Sequence, residues 1–262
     1  MIRHATPFVA ARHGRAASTS ALLYYQGSSV PRSLTSTGRV GTHRDLDGSD
    51  REFFGVAPTP TRVTVHDGRS SAEPFSLDVH GFERVDESQC GRAHIDYFST
   101  EAVLNEYYAD CEALVARRTG ASRVIAFDHN LRARARKLAA ERTTSASGAP
   151  VIQEPLISYG VHNDYTLESA PRRVAQLAAP ATSNDTLRSR PGAPPPLHPD
   201  EVDVLLRGRW MFVNVWRNIS AEPVQRDPLG LVDARTVAPE VSPDIHTLLP
   251  NWRLLLFPLP HG

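Results

Sequence analysis

The stretch "RWMFVNVWRN", Arg209 to Asn218, carries apolar side chains on both faces of one strand. Alternation puts Trp210, Phe212, Asn214 and Trp216 on one side and Met211, Val213, Val215 and Arg217 on the other. A strand apolar on both faces has to lie between packed layers, because neither face can be left to water. The chain therefore needs a layered core. With 262 residues, 40% of them hydrophobic, it is long enough to build one large domain around that strand.

The remaining strands are short and punctuated by turns. "TRVTVHDGR" alternates Val63, Val65 and Asp67 against Thr64 and His66, and ends at the turn pair Asp67-Gly68. "FSLDVHGFERV" alternates Phe75, Leu77 and Val79 before His80-Gly81 breaks it. "SRVIAFDH" and Val151 to Tyr165 read as extended, and "PLGLVDARTV" as a short strand ending near Asp233. One amphipathic helix is clear. In "STEAVLNEYYADCEALVARRTG", Val103, Leu104, Tyr107, Tyr108, Cys111, Leu114 and Val115 recur at three-and-four spacing. Ser99 or Thr100 suits its N-cap and Gly120 its left-handed stop. "PDEVDVLLRG" is a shorter helix with Pro199 in its first turn. The pattern predicts a mainly β domain with packed helices (α+β), a sandwich or jelly roll rather than a βαβ array. Residues 1–20 read as a disordered tail and Ala21 to about Arg62 as loops. Residues 21–262 read as a single domain, with flexible Ser/Gly/Pro-rich insertions near 133–150 and 178–199.

Charge narrows the partners. The 29 acidic and 29 basic side chains cancel, so there is no basic excess for nucleic acid. No apolar run approaches the ~20 residues of a membrane span, and the run from Leu254 to Leu259 is far too short. Two cysteines, Cys90 and Cys111, fit a reduced intracellular protein better than a disulfide scaffold. The first 44 residues hold no Asp or Glu but carry Arg3, Arg12, Arg15, Arg32, Arg39 and Arg44. An organelle transit peptide has that composition, but no amphipathic face accompanies it, so the expected location is cytoplasmic.

The chemistry-bearing stretch is "YGVHNDYTLESAPRRV", Tyr159 to Val174. His162 and Asp164 stand two residues apart in a run that reads as extended, which turns both side chains to the same side. A third ligand from a neighbouring strand would complete a two-His-one-carboxylate face, which suits Fe(II) and leaves positions open for a co-substrate and dioxygen. With 11 histidines in the chain, the same spacing also arises by chance, as a surface pair on a hairpin.

The wider context is more specific than that spacing. "VTVHDGR", "LDVHGFERV", "GASRVIAFDHNLR", "VHNDYTLESAPRRV", "RGRWMFVNVWRNI" and "DPLGLVDARTV" occur in this order between Ala21 and Val237. Together they resemble the fungal AsaB-like (CmcJ/NvfI-type) hydroxylase/desaturases of secondary metabolism. The resemblance implies a double-stranded β-helix, a jelly-roll variant, that uses non-haem Fe(II) and 2-oxoglutarate on a small-molecule substrate. It carries the metal role onto His162 and Asp164. It fades in "SPDIHTLLPNWRLLLFPLPHG", where the family has a distal histidine in an H-T-x-F segment and then a strand with an arginine for 2-oxoglutarate. The expectation is thus a barrel incomplete at its C-terminus, with neither His246 nor His261 in matching surroundings. A truncated relative that keeps the barrel but acts as a binding or partner subunit is the competing reading.

Other polar residues divide between site and scaffold. Asn214 and Arg217 lie on opposite faces of the Trp-rich strand. One or both could reach co-substrate carboxylates or substrate oxygens, or serve a structural hydrogen-bond network, but at most one faces the iron, and Asn214 is the expected one. His129 and Arg132, in "DHNLR", could line a pocket mouth or form a loop cluster. Arg172 and Arg173 could grip an anionic substrate or be exposed loop residues. His66 and Asp67 are neighbours on a strand and face apart, which argues against a metal pair. Asp233 is expected to be a turn residue rather than a base.

Overall fold

The computed structural model describes residues 18–26, 41–44, 50–54, 58–85, 95–133, 152–153, 161, 164–165, 169–180, 194–220, 223–224, 228–236 and 252–256. Helix and strand are mixed among them, rather than strand dominating. The strands, in chain order, are β1 (Ser18–Gln26), β2 (Gly41–Arg44), β3 (Asp50–Phe54), β4 (Pro58–His66), β5 (Phe82–Arg84), β6 (Leu131–Arg132), β7 (Ile152–Gln153), β8 (Phe212–Trp216) and β9 (Trp252–Leu256). β1–β4 and β2–β3 are antiparallel ribbons, and β6 and β7 pair in parallel. The three-stranded sheet runs β5-β9-β8, with both pairings parallel.

β8 is the double-sided strand. Val213 and Val215 pack against a core of Leu77, Val85, Leu114 and Val115. Phe212, with Trp210 beside it, belongs to a second core with Ala170, Val174, Leu177, Ala178 and Leu197. The long helix covers the first core. It starts at Thr100–Ala102, passes through a π turn at Val103–Tyr107 and continues as Tyr108–Thr119. Ser99 Oγ accepts from Ala102 N at 3.2 Å, and Gly120 ends the helix at φ 69°, where a side chain would be strained.

Four local readings need correction. "FSLDVHGFERV" is not one strand: Leu77–His80 forms a helical turn closed by Gly81 at φ 79°, and only Phe82–Arg84 is strand. A left-handed glycine there breaks the run in the middle. "SRVIAFDH" alternates as a strand would, with Val124 on the first core and Ile125 and Phe127 on the second, but forms no ladder until Leu131. "PLGLVDARTV" holds a 3-10 turn, Ala234–Thr236, started by Asp233. Arg172 and Arg173 lie not on a loop but on the helix Ser169–Leu177, which buries Ala170, Val174 and Leu177 at helical spacing.

The N-terminal region differs as well. β1 begins at Ser18, inside the expected tail, and pairs with β4 from Ser18↔His66 to Gln26↔Pro58. Strand partners some 40 residues apart leave no local turn signature. The stretch near 178–199 is packed at both ends. Ala178 and Leu197 are buried, Leu197 N donates to Leu177 O at 3.2 Å, and His198 caps the Pro199–Glu201 turn that leads into Val202–Arg207. The tail before Ser18 and most of both insertions lie outside the described residues.

Leu114 is 1% exposed at the centre of the first core. Leu114→Ala is expected to cost about 2–5 kcal/mol in urea unfolding. Val204→Ala, at a side chain 65% exposed, should change stability by no more than ~0.5 kcal/mol.

Candidate functional site

Two stretches far apart in sequence meet on one face of β8. Asn214 Nδ2 donates to Asp164 Oδ2 at 3.0 Å, across 50 residues of chain. Beside it the Tyr165 ring stacks on Phe212, with centroids 4.6 Å apart and planes at 25°. Phe212 and Asn214 are two residues apart on the strand, so Asp164 and Tyr165 dock on one face at two adjacent points. Upstream, Val161 N donates to Tyr24 O of β1 at 2.6 Å. Val161 thus meets β1 and Asp164 meets β8.

Asp164 is exposed and sits in a bend, not on the strand expected for it. A bend of this kind needs no ladder partners, and the contacts to β8 hold it instead. His162 lies outside the described residues, as does His246. The donor chemistry suits a divalent ion. A carboxylate oriented by an amide, with an imidazole two residues earlier in the chain, is a borderline-hard nitrogen and oxygen set of the kind that takes Fe(II). Among the described residues, no three of His, Cys, Asp and Glu gather at metal-binding distances.

Further site residues come from the helix and from the segment that follows it. Tyr108 Oη and His129 Nδ1 are 3.0 Å apart, with the rings edge-on. Burial, and then the nearby Asp128 carboxylate, push the Tyr108 phenol well above its ordinary range. Burial alone pushes the His129 imidazole down. The phenol therefore keeps its proton and the imidazole stays neutral. A neutral phenol and a neutral imidazole share this hydrogen bond, and its direction follows the imidazole tautomer. Arg132 is exposed on β6, and its partner strand β7 precedes the His162 segment.

Arg217 parts company with Asn214, as opposite faces require. Its guanidinium lies over the Tyr97 ring, 5.7 Å from the centroid, and Tyr97 meets Tyr107 edge-on at 5.1 Å. Arg173 sits over Phe127 at 5.3 Å. Asp67 is the N-cap of the turn at Gly68–Ser70 and pairs with Arg69 at 2.7 Å, and Asp233 does the same for Arg235 at 2.6 Å. Both aspartates are turn residues. A cavity of about 270 Å³ lined by Arg69, Ser71, Glu73, Phe75 and Arg84, among others, includes none of the candidate residues.

Sequence reasoning missed the tyrosines. Tyr107 and Tyr108 count as apolar stripe positions, and only the π turn and the folded contacts show what they meet. A signal existed, because a buried phenol needs a polar partner.

His129 makes stability pH-dependent. Its folded-state value is lowered, so above the ordinary imidazole range of about 6.5 its contribution is complete. As the pH falls through that range the unfolded chain takes up a proton that the folded chain refuses, and stability drops. His129→Gln is expected to flatten the dependence between about pH 7 and pH 5, as measured by denaturant unfolding of both forms across that window.

Comparisons agree with the ordered blocks. The chain matches the family described as oxidoreductase/YMDC permease-like domain over residues 39–192 and 195–252. It is 36% identical over 200 residues to the uncharacterized protein in the dcmA 3' region of Methylophilus leisingeri, covering 74% of this chain and 88% of that one. It is 30% identical over 192 residues to the Fe(II)/2-oxoglutarate-dependent dioxygenase nvfI of Aspergillus novofumigatus, covering 72% of this chain and 57% of that one. It is 27% identical over 216 residues to the hydroxylase/desaturase efuI of Hormonema carpetanum, covering 82% and 60% respectively. The chain thus spans little more than half the length of these fungal relatives. No solved structure matches. Among the described residues no helix is long and apolar enough to cross a membrane. The chain belongs to the oxidoreductase/YMDC permease-like domain family and is a relative of the fungal dioxygenases and hydroxylase/desaturases.

Proposed function

We propose that the chain is an oxidoreductase of the Fe(II)/2-oxoglutarate-dependent type, hydroxylating or desaturating a small metabolite. The observation that carries this reading is the hydrogen bond between Asp164 and Asn214. It joins the H-x-D block to the Trp-rich block, two stretches that carry the resemblance to the fungal enzymes, at an oriented carboxylate. His162 and Asp164 would hold the iron. When bound, the iron and 2-oxoglutarate supply the oxidising power for attack on a substrate C–H bond. A double-stranded β-helix is the scaffold this reading assigns to the domain.

The chain's own residues bind and orient. Of the two polar groups that face apart on the Trp-rich strand, Asn214 shares the side of Asp164, and Arg217, over the Tyr97 ring, belongs to the scaffold on the other side. His129, neutral and fixed by Tyr108, offers an uncharged ring nitrogen rather than a cation, which suits a neutral substrate hydroxyl. Arg132 and Asn214 complete the polar set. Phe127, Tyr165 and Trp210 gather on Phe212, two residues from Asn214 on the strand.

The test is succinate release from 2-oxoglutarate with anaerobically added Fe(II), followed by air. The parent chain should release succinate, and His162→Ala and Asp164→Ala should abolish it. Succinate release that survives Asp164→Ala would refute the reading.

A further inference from the structure

Asn214 is out of character for its position. Asparagine is depleted in strands, yet here it stands in mid-strand between Val213 and Val215 with its side chain exposed. It fills no core. An exposed amide–carboxylate hydrogen bond also adds little to folding, because water solvates both groups nearly as well. A residue that breaks a local rule without a stability gain points to a role in the site. What the bond does supply is direction. Asn214 holds one carboxylate oxygen of Asp164 at 3.0 Å.

The amide is itself firmly mounted. β8 is paired in register with β9, Asn214 opposite Leu254, and its neighbours Val213 and Val215 both pack on the first core, with Phe212 in the second. The adjacent Tyr165–Phe212 stack fixes the backbone next to Asp164. A group presented by a strand is placed more accurately than one carried by a loop, and the loop-borne carboxylate borrows that accuracy from the strand.

We propose that Asn214 is a positioning residue: its Nδ2–H sets the orientation in which Asp164 meets a divalent metal. The proposal rests on reading His162 and Asp164 as metal ligands. It moves Asn214 from contact with the co-substrate to control of the ligand. Outer hydrogen bonds of this kind orient ligating carboxylates, and their loss typically weakens metal binding ~10- to 100-fold.

The experiment titrates the full chain with Co(II), without 2-oxoglutarate or substrate, and follows the visible absorption of the bound ion. Asn214→Leu removes the donor at similar size. Asn214→Thr, a good strand former whose hydroxyl is too short to reach, is the second variant should the first fail to fold. Both are expected to bind Co(II) ~10- to 100-fold more weakly, with the metal-free thermal midpoint unchanged. Asn214→Gln, which keeps an amide donor, is expected to retain more affinity than either. Asp164→Ala should lose the site. If the two donor-free variants match the parent while Asp164→Ala does not, the positioning role is wrong and the ligand reading stands. A metal-free midpoint that falls in step with affinity would make Asn214 a fold clamp and likewise overturn the proposal. If the parent and Asp164→Ala bind alike, the ligand reading fails and the proposal with it.

Discussion

The two-sided burial of β8 is the constraint on which the rest of the structure depends. Five residues of strand separate two apolar cores. Val213 and Val215 serve one, Phe212 the other. Each core recruits its own elements. The Leu114 face of the long helix closes the first, and the helices Ser169–Leu177 and Val202–Arg207 close the second. Burying both faces removes apolar area twice along the same backbone, so the strand's position is determined from both sides. The polar groups on and just beyond it, Asn214 and Arg217, inherit that placement.

The polar contacts between elements are of unequal weight. Arg118 of the long helix pairs with Glu83 of β5, and Glu83 is buried, so this pair ties the helix to the three-stranded sheet. Arg123 and Glu201 meet at 2.5 Å, but both are exposed, and such pairs contribute at most about 1 kcal/mol. Glu112 accepts from Ala126 N at 2.8 Å, and Tyr108 meets His129. Two contacts from one helix thus hold the ladderless segment that runs between the cores. These bonds offset the missing strand pairing, because backbone groups left without partners away from water are costly.

The candidate site has the same logic. Its carboxylate is on a bend, which by itself sets no direction, and its amide is on the strand that packs against both cores. A loop supplies the reactive side chain and the sheet supplies the aim. The aromatic shell around Phe212 shares this dependence, since Phe127, Tyr165 and Trp210 come from three different stretches and converge only on that ring.

Residue pattern alone determined a good deal of this. Alternation marked β8 as buried on both faces, three-and-four spacing marked the long helix with its Ser99 cap and Gly120 stop, and Pro199 marked the shorter one. It also separated Asn214 from Arg217, because successive side chains on a strand oppose each other. Ordered blocks carried the family. What pattern could not reach was pairing at long range: β1 with β4, β9 between β5 and β8, and Asp164 with Asn214. Such contacts depend on which distant surface completes a core, and no local period encodes that. Hence residues around Ala21 to Arg62 looked like loops, the Ser169–Leu177 helix hid behind Pro171 and two arginines, and Tyr108 looked like core until His129 stood opposite it. Sequence named the chemically capable residues, and only tertiary structure decided which of the described ones touch.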